Sequence, residues 1–182
     1  MQISDDILIN KIQEGDRTSF EILFRNFYAP LCDYAFKFVK SSDIAEDQVQ
    51  EVFVNIWEKK KDWHPKGSIK SYLYKAVRNQ SLNYLKHKQF VEEWKQKIAS
   101  RSPTSFHSPT EERANPEQVK KWVQEAIHQL PKKRRAIYEL SRNHGLTYME
   151  ISRTLNISIK TVETQMGRSL KHLRSYLKQK LD

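Results

Sequence analysis

A short tract near the C-terminus carries the residues best suited to chemistry. In "SIKTVETQM", Ser158, Lys160, Thr161, Glu163, Thr164 and Gln165, with Arg168 just beyond, form a dense polar set. Each type matches a group on duplex DNA. Arginine suits guanine, glutamine suits adenine, glutamate accepts from cytosine, and threonine meets a thymine methyl or a phosphate. The same tract also fits an ordinary amphipathic surface helix, with Val162 and Met166 as its buried edge. The neighbouring elements must distinguish these readings.

Those elements form a recognisable plan. Thr147 and Glu150 stand at T-x-x-E spacing, the signature of a capping box opening a short helix. A tight turn over Leu155 to Ser158 follows, and then a longer helix. A short helix, a turn and a second helix make a helix-turn-helix. Ile151, Leu155, Ile157, Val162, Met166 and Leu170 provide its apolar contacts, and the first turns of the second helix are those that enter a major groove. Glu163 is a liability against phosphates on this face.

Charge agrees with a polyanionic partner, either nucleic acid or an acidic membrane surface. The chain has 182 residues and a formal net charge of +10. Residues 1–58 hold 5 Lys/Arg against 11 Asp/Glu, whereas residues 60–101 hold 11 against 3 and residues 130–182 hold 12 against 4. One acidic section and two basic ones imply more than one partner surface. Cys32 is the sole cysteine, so neither an intrachain disulfide nor a cysteine zinc site can form. Its apolar neighbours suggest a buried thiol without a role. The six histidines are dispersed, and no metal or cofactor is expected. A nuclease would need clustered acids or a metal-ligand set, so an enzyme is not expected either. No apolar run approaches the roughly 20 residues of a membrane span. The acidic start "MQISDDILIN" is unlike a signal peptide, and the expected compartment is the cytoplasm.

Only 4 glycines and 6 prolines occur, and apolar residues recur at helical spacing almost throughout. The expected fold is all-α, with two helical domains joined by a flexible linker. The first domain covers residues 1–98. Ser4 caps a helix to Gln13 that stops near Gly15. A second helix carries Phe20, Leu23, Phe24 and Phe27, and Pro30 opens a third with Leu31, Tyr34, Ala35 and Phe38. Ala45, Val49, Phe53, Ile56 and Trp57 form the next apolar stripe. "HPKGS" breaks the pattern before a helix from Ile69 with Leu73, Ala76, Val77 and Tyr84 inward, continuing to about Ile98. Residues 99–115 are rich in Ser, Thr and Pro and form the linker. The second domain covers 116–182, opened by Asn115-Pro116 as cap and first-turn proline. Val119, Trp122, Val123, Ala126, Ile127 and Leu130 are its first buried face, and Pro131 opens the helix after it.

"LPKKRRAIYELSRNHGLTYMEISRTLNISIKTVETQMGRSLKHLR" resembles region 4 of bacterial sigma-70-family factors of the extracytoplasmic-function (ECF) group. Response-regulator-type DNA-binding domains share part of this core. The N-terminal half separates the two: "DIAEDQVQEVFVNIWEK" and "SYLYKAVRNQSLNYLK" resemble sigma region 2. The resemblance covers about residues 5–94 and 116–178.

The resemblance implies an alternative sigma factor that binds core RNA polymerase (β′ coiled coil and β flap) and directs promoter recognition and DNA opening. Asp47, Gln50, Glu51 and Asn55 match the docking positions for polymerase. Lys60, Lys61, Trp63, His64, Lys66, Tyr74, Lys75, Arg78 and Asn79 match the part that engages the promoter −10 element. Cations and aromatic platforms suit unpaired bases there, although Trp63 and Tyr74 fit a core equally well. The "SIKTVETQM" helix matches the −35 reader. A linker of 17 residues reaches about 50 Å if extended, which lets one chain touch two separated DNA elements. Relatives are commonly held by an anti-sigma factor. Gly167 and Ser169 depart from many relatives. The competing reading is a helix-turn-helix regulator acting as a dimer without polymerase docking.

Overall fold

A computed structural model describes residues 4–96 and 116–181. The described residues are helical with connecting turns and contain no strand. They belong to two compact units. The proposed linker, Ile98 and the Asn115 cap lie outside the described residues.

The N-terminal unit contains α1 (Asp5–Gln13), α2 (Arg17–Val39), α3 (Ser42–Glu58) and α4 (Ile69–Gln96), with a 3-10 turn at Lys60–Asp62. Ser4 occupies the N-cap of α1, but its side chain makes no capping bond. Gly15, at φ +91°, adopts the left-handed backbone that turns the chain out of α1. Asp16 then caps α2, accepting from the Thr18 and Ser19 amides at 3.2 and 3.1 Å. The Ser19 hydroxyl, also donating to it, helps hold its carboxyl below the usual range.

Pro30 does not open a helix. It lies inside α2, which runs unbroken through it. Proline lacks the N–H for one helical bond and crowds the carbonyl four residues back. A single buried face spanning the proline offsets that loss: Leu23 lies before it and Leu31, Tyr34, Ala35 and Val39 after it. Burying each of the Leu and Val side chains stabilises the fold by about 1.5–3 kcal/mol. Ala45, Val49, Val52, Phe53 and Ile56 of α3 and Ile69, Leu73, Tyr74 and Val77 of α4 are likewise buried. Helices α2, α3 and α4 pack against one another in all three pairings. Phe20 bridges Trp57 and Phe53 at ring separations of 4.9 and 6.1 Å, and Phe24 extends this cluster to Tyr28 at 4.5 Å.

The C-terminal half of the chain contains α5 (Pro116–His128), α6 (Lys132–Arg142), α7 (Tyr148–Leu155) and α8 (Ile159–Leu181). Both α5 and α6 pack on α8. Ala126, Leu130 and Leu173 form a buried cluster, flanked by Ile127, Tyr138 and Tyr176. The Tyr176 hydroxyl donates to Glu125 at 2.8 Å and ties α8 to α5. The Arg135 guanidinium donates to the His128 and Leu130 carbonyls and closes the end of α5. Val119 is exposed rather than buried, and Trp122 and Val123 are half-buried. Val119 lies seven positions before Ala126, near the start of α5, where the buried cluster does not reach.

The capping box forms as spaced. The Glu150 amide donates to the Thr147 hydroxyl at 3.3 Å, and the Thr147 amide donates to the Glu150 carboxylate at 2.8 Å. Thr147→Ala is therefore expected to destabilise the C-terminal unit by about 0.5–2 kcal/mol. Thermal unfolding of the variant measures this, and Thr147→Ser should restore most of the loss.

Candidate nucleic-acid interface

Helix α8 begins after a left-handed Asn156, at φ +55°. Ser158 works as a helix cap. Its hydroxyl accepts from the Thr161 amide at 3.0 Å and pairs with the Thr161 hydroxyl at 2.8 Å. It therefore sets the first turn of α8 instead of standing free for a base. Val162, Met166, Ser169 and Leu173 form the buried stripe of the helix. Leu170, expected in the core, is 37 % exposed, while its neighbour Ser169 is 0 % exposed. One residue is about 100° around a helix, and the stripe set by Val162 and Met166 continues through 169 and 173. Ser169 satisfies its hydroxyl by donating to the Gln165 carbonyl at 2.9 Å.

Lys160, Thr161, Glu163, Thr164 and Arg168 are all exposed. The Thr164 hydroxyl folds back to donate to the Lys160 carbonyl at 2.8 Å. Gln165 is half-buried, and its side-chain oxygen accepts from Arg134 Nε at 3.1 Å. That bond occupies part of the acceptor and leaves the amide donors for acceptors such as guanine O6 and N7. Sequence reasoning missed Arg134. It lies in "KKRR", a run in which no single cation stands out.

The segment after α3 divides between surface and core. Lys61, His64, Lys66, Lys75 and Asn79 are exposed, and Arg78 is half-buried. Lys60 lies 4.5 Å over the Trp57 ring and donates to the Trp57 carbonyl at 3.2 Å. Trp63 and Tyr74 are 4 % and 1 % exposed. They are core residues in this conformation, not free stacking platforms. Trp63 packs edge-on to Tyr72 at 5.9 Å, and its carbonyl accepts from Gln13 at 3.0 Å. Tyr74 meets Tyr34 at 5.0 Å, and burial pushes its hydroxyl up to about 12. Of Trp63, Tyr72 and Tyr74, half-buried Tyr72 retains surface. Tyr72 and Tyr74 differ by about 200° around α4, so one faces inward while the other does not.

On α3, Asp47, Gln50 and Glu51 are exposed and Asn55 is half-buried. Asn55 donates to the Glu51 carbonyl and carboxylate at 2.8 and 3.2 Å. Gln50 donates to the Tyr28 hydroxyl at 3.3 Å and joins α3 to α2. Beside this face lies a cleft of about 370 Å³ whose lining includes Tyr28, Cys32, Asp33, Phe36 and Glu46. Cys32 is half-buried rather than fully enclosed, and burial is the main cause pushing its thiol up. Among the described residues no group of three or more His, Cys, Asp or Glu could hold a metal. No described helix is long and apolar enough to cross a membrane.

Two family models match in chain order: sigma-70 region 2 over residues 23–91 and sigma-70 region 4 over residues 120–173. The class is therefore that of helical, DNA-binding transcription initiation factors. The chain belongs to the sigma-70 family of RNA polymerase sigma factors, whose regions 2 and 4 it carries in order. It is 23 % identical to the ECF RNA polymerase sigma-E factor of Haemophilus influenzae over 176 residues, covering 92 % of each chain. It is 24 % identical to that of Escherichia coli, covering 92 % of this chain and 91 % of the relative. The fold is shared with CnrH, solved with the cytosolic domain of CnrY, at a TM-score of 0.63 and 20 % identity over 96 % of this chain and 97 % of that one. It is also shared with RpoE of Bartonella quintana, solved with the anti-sigma factor NepR, at 0.57 and 20 % identity over 87 % and 96 %.

Proposed function

We propose that this chain is an alternative sigma factor that binds core RNA polymerase in the cytoplasm, brings it to a promoter and helps open the DNA. The observation that carries this reading is the ordered pair of matches, region 2 then region 4. Each falls on a unit with a suitable surface. Asp47, Gln50, Glu51 and Asn55 form a polar, acidic face on α3, backed by the buried stripe from Ala45 to Ile56. Such a face suits a basic partner and is assigned to the β′ coiled coil. A groove of about 780 Å³ on the C-terminal unit has Leu170, Leu177 and Leu181 in its lining, with Arg142, Arg174 and Lys178. It is assigned to the β flap. Lys60, Lys61, His64, Lys66, Lys75, Arg78 and Asn79 serve the −10 element. Lys160, Thr161, Glu163, Thr164, Gln165 and Arg168 serve the −35 element. RpoE was solved with an anti-sigma factor and CnrH with the cytosolic domain of CnrY, and an anti-sigma factor is proposed here as well.

The chain should co-purify with core polymerase and support transcription that starts at defined promoters. Binding duplex DNA as a dimer with no polymerase affinity would instead establish the helix-turn-helix regulator. The combined change Asp47→Ala and Gln50→Ala is expected to lower affinity for core polymerase by at least about tenfold, since truncating a charged and a hydrogen-bonding side chain at an interface is costly. Both side chains are exposed and the one internal bond lost is the 3.3 Å contact of Gln50 with Tyr28, so the thermal midpoint should fall by no more than a few degrees. Undiminished competition for core enzyme by the double variant would remove α3 from the interface.

A further inference from the structure

Gly167 lies in the third turn of α8, well inside the helix. After proline, glycine is the least favourable residue at such a position, because fixing its backbone removes the most freedom. A close neighbour that leaves no room for a methyl group would account for it. None exists here, since a Cβ at Gly167 would meet nothing within 4 Å. The backbone there is right-handed helix, which alanine adopts readily. Among the described residues nothing requires glycine at this position.

Its surroundings on the helix are informative. At about 100° per residue, the positions seven and three before Gly167 and four and seven after it share its face. They are Lys160, Thr164, Lys171 and Arg174, all exposed. The buried stripe through Val162, Met166, Ser169 and Leu173 runs along the other side. The patch of α8 with no side chain therefore lies within its most cationic strip.

We propose that Gly167 is a contact notch, where a sugar-phosphate strand of the promoter lies directly against the helix backbone between flanking cations. This rests on the reading of α8 as the −35 helix. A helix with side chains is about 10–12 Å across, and the major groove is about 12 Å wide. The fit leaves little slack at the groove walls. Gly167 lies about 12 Å along the axis from Ile159, beyond the first turns that meet base edges. A helix docked by its N-terminal turns passes a phosphate wall at about that depth. A methyl group there would hold the strand away and lengthen the cation–phosphate separations of Lys160, Arg168 and Lys171. Their attraction weakens with distance. Glycine is thus retained against helix propensity for close approach, and it sets how deeply the helix seats.

The test uses holoenzyme assembled from core polymerase and the full-length chain, with duplexes enriched by the wild-type holoenzyme from a random-sequence pool. Gly167→Ala is expected to raise the thermal midpoint of the C-terminal unit, in the free full-length chain, by about 4–8 °C. It should lower holoenzyme affinity for the enriched duplexes about tenfold, with core-polymerase affinity unchanged. Gly167→Leu, also a good helix former, should lower duplex affinity about a hundredfold. A raised midpoint with unchanged duplex affinity for both variants overturns the notch while leaving the −35 reading intact. A lowered midpoint for Gly167→Ala overturns it by showing an internal need for glycine. If the wild-type holoenzyme enriches no duplex, the −35 reading fails and the notch fails with it.

Discussion

Replacing Tyr74 with alanine is expected to destabilise the N-terminal unit by about 3–5 kcal/mol, the range for deleting a fully buried aromatic ring. Domains of this size are stable by about 5–15 kcal/mol, so the variant should be close to unfolding at physiological temperature. The ring is 1 % exposed and packs on Tyr34, at the meeting of α2 and α4. Tyr74→Phe keeps the ring and should cost about 1 kcal/mol. Denaturant titration of both variants measures the difference. A stable Tyr74→Ala protein that opens promoters poorly would return Tyr74 to the DNA-melting surface. Burial also predicts a pH dependence. The hydroxyl titrates at about 12 in the folded chain against an ordinary 10. Its contribution is complete below pH 10 and is lost as pH rises from 10 towards 12, because the unfolded chain ionises first. Tyr74→Phe should remove that part of the alkaline loss.

Arg168→Ala combined with Gln165→Ala should weaken −35 duplex recognition by about 1–3 kcal/mol for each side chain that no longer pairs with a base. Together this amounts to roughly 25-fold or more, with core-polymerase binding intact. Arg168 is exposed and reaches outward. Gln165 is held by Arg134 Nε at 3.1 Å, so its donors are pre-oriented and little side-chain freedom is given up on binding. Base-by-base substitution in the −35 duplex is the decisive measurement. Removing Gln165 should relax discrimination at one position, while removing a phosphate-binding cation should weaken all sequences alike. If promoter selection is untouched in both single variants, the assigned face of α8 is wrong. Arg134→Ala provides an internal check, because it frees Gln165 without removing it and should blur the same position.

Local signals were legible wherever one chemical rule acted alone. The capping box at Thr147 and Glu150, the stop at Gly15 and the stripe from Ala45 to Ile56 are set by neighbours within a turn or two, and each formed as spaced. The outward face of α8 was legible for the same reason, since Lys160, Thr161, Glu163, Thr164 and Arg168 follow from helical period once Val162 and Met166 face inward. Pro30 misled because its local meaning, a first-turn proline, was outweighed by burial on both sides of it. Ser158 has chemistry for a cap and for a DNA contact, and only its position before α8 selects the cap.

The sequence by itself determined that the chain is helical, that it holds one acidic section (1–58) and two basic ones (60–101 and 130–182), and that it carries two sigma-type segments in order. Period, composition and motif spacing are properties of the chain alone. The tertiary structure decided which of several suitable residues face outward. Trp63 and Tyr74 went to the core and Tyr72 kept surface, while Leu170 was exposed and Ser169 buried. Gln165 acquired a partner from α6 that lies 31 residues away in sequence. The physical reason is that aromatic and amphipathic side chains gain free energy in either place. The choice between core and surface depends on which neighbouring helix is there to pack against them, and packing joins residues that no local pattern relates.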